Sequence, residues 1–202
     1  MRNVLTISFI MLLILSAVPI TGAYLSKTEP QPHEVHSNNE NETILTDTNS
    51  KESDYVCYQA ANMCHEDFCD EAIKAAICIA KNNLRFFTEN NKEKDTVNTD
   101  NVSLSIVKKV KKLSKELKTE IKYNEKCVFI PTSSLSNGAT KTDSRFPYIT
   151  AVASPWDCQS EEYIYSKEYN SGISMQGINY LCENDCSYIE ALKWYLPEFD
   201  IK

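Results

Sequence analysis

DEAIKAAICIAKNNLRFF, residues 70–87, is the stretch on which the reading of the fold turns. Ile73, Ala76, Ile77, Ala80 and Leu84 recur at spacings of three and four, the repeat of one face of an α-helix. The spacing predicts a helix over 70–87. Glu71, Lys74 and Lys81 fall on its other face with Cys78, and a cysteine set there is expected to pair outside the helix. Further along, Val107, Val110, Leu113 and Leu117 mark a second helix over 104–119. Lys108, Lys109, Lys111, Lys112, Lys115 and Lys118 cover its other side. That face reads as a solvated one, with an anionic polymer or a membrane surface as the alternative. Ile121-Lys122-Tyr123 and Cys127-Val128-Phe129-Ile130 flank Asn124-Glu125-Lys126 as a hairpin. Ser187 and Glu190 form a capping box that opens a last helix. Its Ile189, Leu192, Trp194 and Tyr195 read as core, and Pro197 ends it.

Upstream of residue 55 the character changes. Residues 1–25 carry Arg2, an almost wholly apolar run over 4–20 and the small residues Thr21-Gly22-Ala23. This is a cleaved signal peptide or a retained membrane anchor, nearly long enough to span a bilayer. Either one puts the rest of the chain outside the cytoplasm. Residues 26–54 are polar, broken by proline and poor in apolar side chains, and read as a flexible tether. Residues 55–202 are long enough for one core.

Composition narrows the function. The 202 residues carry 28 acids against 21 bases, a net charge of −7, so the basic footprint of a nucleic-acid binder is missing. No GxGxxG, Walker A or HExxH pattern occurs. Eight cysteines, Cys57, Cys64, Cys69, Cys78, Cys127, Cys158, Cys182 and Cys186, all follow the tether. An even count in an exported chain reads as disulfides, with 105 conceivable pairings. Metal is the rival, with Cys64/Cys69 and Cys182/Cys186 as ligand pairs, but neither spacing is the CxxC of common zinc sites. His65, flanked by Cys64, Glu66 and Asp67, is the one histidine after the tether. It marks a polar cluster that reads as a surface loop, with metal binding or acid/base work as the alternative.

Several segments, in order, resemble the stage II sporulation protein D family, related to the amidase enhancer proteins of bacterial walls. Tyr55-Val56, Phe68 and Glu71-Ala72-Ile73-Lys74-Ala75 match its opening. Ser136-Asn137-Gly138-Ala139-Thr140 is similar to its Ser-Gly-Gly-x-Thr loop. The run from Pro147-Tyr148-Ile149 to Ser154-Pro155-Trp156-Asp157 follows its Pro-Tyr-Leu-x-x-Val-x-Ser-Pro-Trp-Asp. Residues 172–178 correspond to its Gly-Met-Ser-Gln-Trp-Gly-Ala loop, and 188–197 to its Tyr-x-Glu-Ile-Leu-x-x-Tyr-Tyr-Pro end. The motifs and the resemblance together imply an α+β fold, helices near both ends and a mostly antiparallel β region between them.

The resemblance also implies a wall-directed protein outside the membrane. Family members that act in sporulation are lytic transglycosylases that cut the glycan of peptidoglycan with one glutamate as acid and base. Here the ungapped alignment puts Met63 at that glutamate, and Tyr169 at the histidine before the glycine loop. Residues 88–101, where the family carries zinc ligands, hold no Cys or His, so no zinc or other cofactor is expected. The first expectation is therefore a non-catalytic relative that binds glycan strands, or a wall amidase or other sporulation wall protein. Its cleft would be formed by Met63, Ser136, Thr140, Ser154, Trp156, Asp157, Tyr169, Gly172, Ser174 and Gly177. The second is an active transglycosylase using Glu66. The third is a secreted, disulfide-stapled domain with an unrelated ligand.

Overall fold

The structure, a computed structural model, describes residues 48–97, 99, 102–136, 138–159 and 171–202. The apolar run over 4–20, most of the tether and Tyr169 lie outside the described residues. Among those described, no helix is long and apolar enough to cross a membrane.

The fold is α+β, with helices α1 (Thr48–Asn62), α2 (Asp70–Glu89) and α3 (Leu104–Leu113) before the β segments and α4 (Met175–Glu183) and α5 (Tyr188–Tyr195) after most of them. The β structure is spare. β1 (Ile121–Lys122) pairs antiparallel with β4 (Asp200–Ile201), and β2 (Thr132–Ser133) pairs parallel with β3 (Ile173–Ser174).

Helix α2 is the hub, touching α1, α3, α4, α5 and β1. Ala72, Ala75, Ala76 and Ala80 let neighbours approach closely, while Ile73, Ile77 and Ile79 are fully buried. Each such isoleucine contributes roughly 1.5–3 kcal/mol over an exposed one. Because helices pack on several sides, Cys78 is only 1% exposed. It lies in the core, contrary to the expectation that it sits on a polar outer face. The first turn of α2 is tied to α5, since the Tyr188 amide donates to Glu71 Oε2 at 3.0 Å.

Three boundaries differ from the sequence reading. Helix α1 begins at Thr48, within the expected tether, and its outer residues pair with neighbours, Asp54 with Lys111 at 3.1 Å. Helix α3 stops at Leu113 rather than 119, because Lys81 Nζ donates to the carbonyls of Ser114 at 2.9 Å and Leu117 at 2.8 Å. A cation that satisfies the orphan carbonyls at a helix end fixes where the chain departs. Residues 172–178, read as a loop, hold β3 and the first turn of α4.

The expected hairpin is a tight turn with unusual arms. Asn124 and Glu125 both have positive φ, 47° and 63°, and Tyr123 exchanges backbone hydrogen bonds with Lys126 at 2.9 and 3.0 Å. Two central residues at positive φ define a type I′ turn. Beyond it the arms diverge. Ile121 pairs with Ile201, while residues 128–130 are held by amide side chains of α2. Asn82 Nδ2 donates to Val128 O at 2.7 Å, and Asn83 both donates to Ile130 O at 2.9 Å and accepts from Ile130 N at 2.8 Å. These two amides substitute for a strand ladder.

Candidate functional site

The hydroxyl-rich residues singled out from the sequence come together, but inward. Asp157 is 1% exposed in the 3-10 turn Pro155–Gln159. Its Oδ2 accepts from the amide of Ser136 at 2.9 Å, from the Ser136 hydroxyl, and from Ser154 Oγ at 2.9 Å. Its Oδ1 accepts from Ser174 Oγ at 3.0 Å. The Ser154 proton is committed to Asp157, so the 2.6 Å contact with Tyr195 is the tyrosine donating. Tyr195 then accepts from Trp156 Nε1 at 3.0 Å. Hydrogens thus run one way, from Trp156 through Tyr195 and Ser154 to the carboxylate.

Ser136, Ser154, Asp157 and Ser174 are each buried, and Thr140 spends its hydroxyl as acceptor for the Val152 amide at 2.8 Å. These five residues tie the β segments to α4 and α5, and Asp157 also borders, with Trp156, Gln176 and Tyr180, a depression of about 330 Å³. Gly177 lies in the first turn of α4 against Tyr195, and Gly172 holds φ +92° with Pro131 O where a Cβ would stand. Trp156 is half-buried, stacked on Tyr180 at 5.7 Å and against Trp194 at 5.4 Å. Trp194, expected in the core, is 47% exposed, and its Nε1 donates to Ala153 O at 2.8 Å.

The open cleft lies at Met63. It has a volume of about 480 Å³ and is walled by α1 through Tyr55 and Gln59, by Met63 just after that helix, and by α2 through Asn83 and Phe87. The opposite wall is Phe129, Pro131, Lys141, Asp143, Arg145 and Phe146. Phe129 packs on both Phe87 and Phe146, at 5.7 and 5.6 Å, which makes the wall rigid and aromatic. Met63 also borders a second, smaller depression with Asn62, His65, Thr132 and Ser134.

Two carboxylates, Asp95 and Asp143, line this cleft. Arg145 forks onto Asp143, Nη2 to Oδ2 at 2.6 Å and Nε to Oδ2 at 3.0 Å, and Ser171 Oγ adds a bond at 3.2 Å. The Arg145 hydrogen bonds hold the Asp143 carboxyl well below the usual carboxylate range. It is an acceptor and a fixed negative charge, the opposite of a glycosidase acid, whose pKa must be raised.

Glu66 lies elsewhere. It is exposed beyond α1 and accepts from Ser103 Oγ and Ser105 Oγ at the start of α3. It lines a depression with Val102 and Ile106, apart from the residues that line the Met63 cleft. His65 stacks on Phe68 at 5.4 Å.

The Asp143–Arg145 fork and the Gln59/Asn83 wall escaped the sequence reading. Their local signal is only a D-x-R step beside Phe146, just ahead of the run from Pro147 to Asp157. Among the described residues, no group of three or more His, Cys, Asp or Glu side chains is placed to hold a metal ion.

All eight cysteines are thiols in the structure. Burial pushes Cys64 and Cys182 up to about 12 and Cys78 up to about 11, from an ordinary value of 9.0. A thiol held protonated in the fold but free to ionise in the unfolded chain supports stability fully below its unfolded pKa and loses that support as pH rises. With the thiols kept reduced, urea midpoints are expected to hold to about pH 8.5, then fall steadily toward pH 11. Tyr195, raised by burial to about 12 from 10.0, adds to the fall at the alkaline end. A midpoint unchanged between pH 8 and pH 10.5 would contradict the burial of these thiols.

No protein-family model and no curated protein matches this chain.

Proposed function

We propose that the chain is an extracytoplasmic, peptidoglycan-directed protein of bacterial wall remodelling in sporulation that holds glycan strands without cutting them. The observation that carries this reading is Met63. The residue aligned with the family's catalytic glutamate lines an open cleft whose walls carry aromatic rings, amides and the Asp143–Arg145 fork. Aromatic faces with a few fixed polar groups suit a pyranose ring, which is apolar on its faces and hydroxylated at its rim. A thioether cannot deliver the proton that glycosidic cleavage needs. Of the two carboxylates that line the cleft, Asp143 is held ionised by its hydrogen bonds from Arg145. Glu66, the alternative acid, is occupied at the start of α3.

The test is co-sedimentation of the full chain with purified bacterial sacculi, followed by mass spectrometry of released fragments. The expected result is protein in the pellet and no anhydro-ended sugars. Phe146→Ala should weaken pelleting about fivefold, the ~1 kcal/mol of one aromatic contact, and Glu66→Gln should leave it unchanged. Protein that stays in the supernatant overturns the glycan reading. Anhydro ends that disappear with Glu66→Gln would establish an active enzyme instead.

A further inference from the structure

Four thiols converge from distant parts of the chain. Cys64 and Cys69 bracket the turn between α1 and α2, Cys182 lies in the last turn of α4, and Cys186 follows that helix. The Cys69 amide donates to Asn179 Oδ1 at 3.0 Å, which ties the start of α2 to α4. Asn179 and Cys182, three residues apart on one helix, share a face. The face that grips the Cys69 backbone therefore also presents Cys182 one turn further on, and Cys69 joins burial in pushing the Cys182 thiol up. Cys64 precedes Cys69 by five residues and Cys186 follows Cys182 by four, so the two local pairs are the competitors. The other four face different groups. Cys57 and Cys78 are each 1% exposed in the core, Cys127 Sγ donates to Asn82, and Cys158 Sγ lies beside Gly138.

We propose that Cys69 and Cys182 form a disulfide that staples the start of α2 to the end of α4. The bond forms by exchange with an external disulfide, oxidised glutathione or an oxidised dithiol protein. Cys69, the more accessible of the two, attacks as thiolate and forms a mixed disulfide, releasing one external thiol. Cys182 then gives up its proton and attacks the Cys69 sulfur, releasing the second. Two protein thiols lose two protons and two electrons, and one external disulfide becomes two thiols. Burial of Cys182 makes this second step the slow one, because the thiolate is the nucleophile. The staple closes a loop of about 110 residues, where cross-linking constrains the unfolded chain far more than a bond within either local pair. It also anchors the turn that follows Met63. The inference stands apart from the glycan reading, since it concerns two thiols outside the cleft.

The experiment is oxidation of the full chain in a glutathione redox buffer, thiol blocking, and non-reducing digestion with trypsin and a glutamate-specific protease. Cleavage at Glu66 and Glu183 separates all four cysteines. The expected product is a peptide pair joining Cys69 to Cys182, with the melting temperature of the oxidised chain falling by about 10 °C on reduction. Cys69→Ala and Cys182→Ala should each remove that fall, and the double variant should be no worse than either. Because reduction of the native chain reads the same quantity, the test holds even where a variant folds poorly. A Cys64–Cys69 or Cys182–Cys186 pair in place of the long-range one, or complete thiol blocking after oxidation, overturns the proposal.

Discussion

Asp157→Ala is expected to cost about 4 kcal/mol of stability and to lower the melting temperature by roughly 10 °C. The side chain is the sink of a directed network. It accepts from one amide and three hydroxyls, those of Ser136, Ser154 and Ser174, all of them buried. Hydrogen bonds to a charged acceptor are worth about 1.5–3 kcal/mol each, and a buried donor left without a partner costs its full desolvation. Those contributions do not simply add, because a water in the vacated space would rescue some donors. Ser174→Ala, by contrast, leaves the carboxylate three donors but also strips the Gly177 amide of the cap that opens α4, so about 2 kcal/mol is expected. Asp157→Asn keeps the shape but turns an amide NH2 toward donors, and should fall between the two. Urea unfolding of the three variants orders them. A loss below 1 kcal/mol for Asp157→Ala would mean the network is hydrated and dispensable.

The parts of the fold that the sequence announces are those whose signals are local. Helix α2 is long, strongly patterned and opened by Asp70 and Glu71 at its positive end. The Ser187/Glu190 capping box forms as its spacing says, with the Ser187 amide donating to Glu190 Oε2 at 2.9 Å. Cys78 was misjudged because an amphipathic pattern assumes one buried face, whereas a central helix is buried on several. The start of α4 escapes the sequence reading because residues 172–178 are matched there to a family loop. The two glycines answer different demands: Gly172 a positive φ, Gly177 the proximity of Tyr195. The partners of Asp157 lie 3, 17 and 21 residues away, so no window on the sequence contains the network. Sequence motifs single out Ser136, Ser154, Asp157 and Ser174, and the fold brings the four together. They do not say which way the set faces, and the four side chains are buried and bonded to one another.

Gly177→Ala is expected to cost about 3 kcal/mol even though alanine is the better helix former by about 1 kcal/mol. A Cβ there would stand 1.8 Å from Tyr195 Oη, 2.6 Å from Trp156 Nε1 and 2.9 Å from Ser154 Oγ. The phenol is the end of a side chain, but it has little freedom to retreat. Tyr195 is 2% exposed and held at its hydroxyl by both Ser154 and Trp156. Moving it strips Ser154 of its donor and Trp156 of its acceptor, so the steric cost carries a hydrogen-bond cost with it. A double-mutant cycle separates the two. Tyr195→Phe removes the oxygen that occupies the Cβ position, at a cost of its own, and Gly177→Ala added to it should be at least 1 kcal/mol cheaper than in the native chain. Additive costs would place the penalty in the helix backbone, and the close approach of α4 to α5 would then not be what requires glycine at this position.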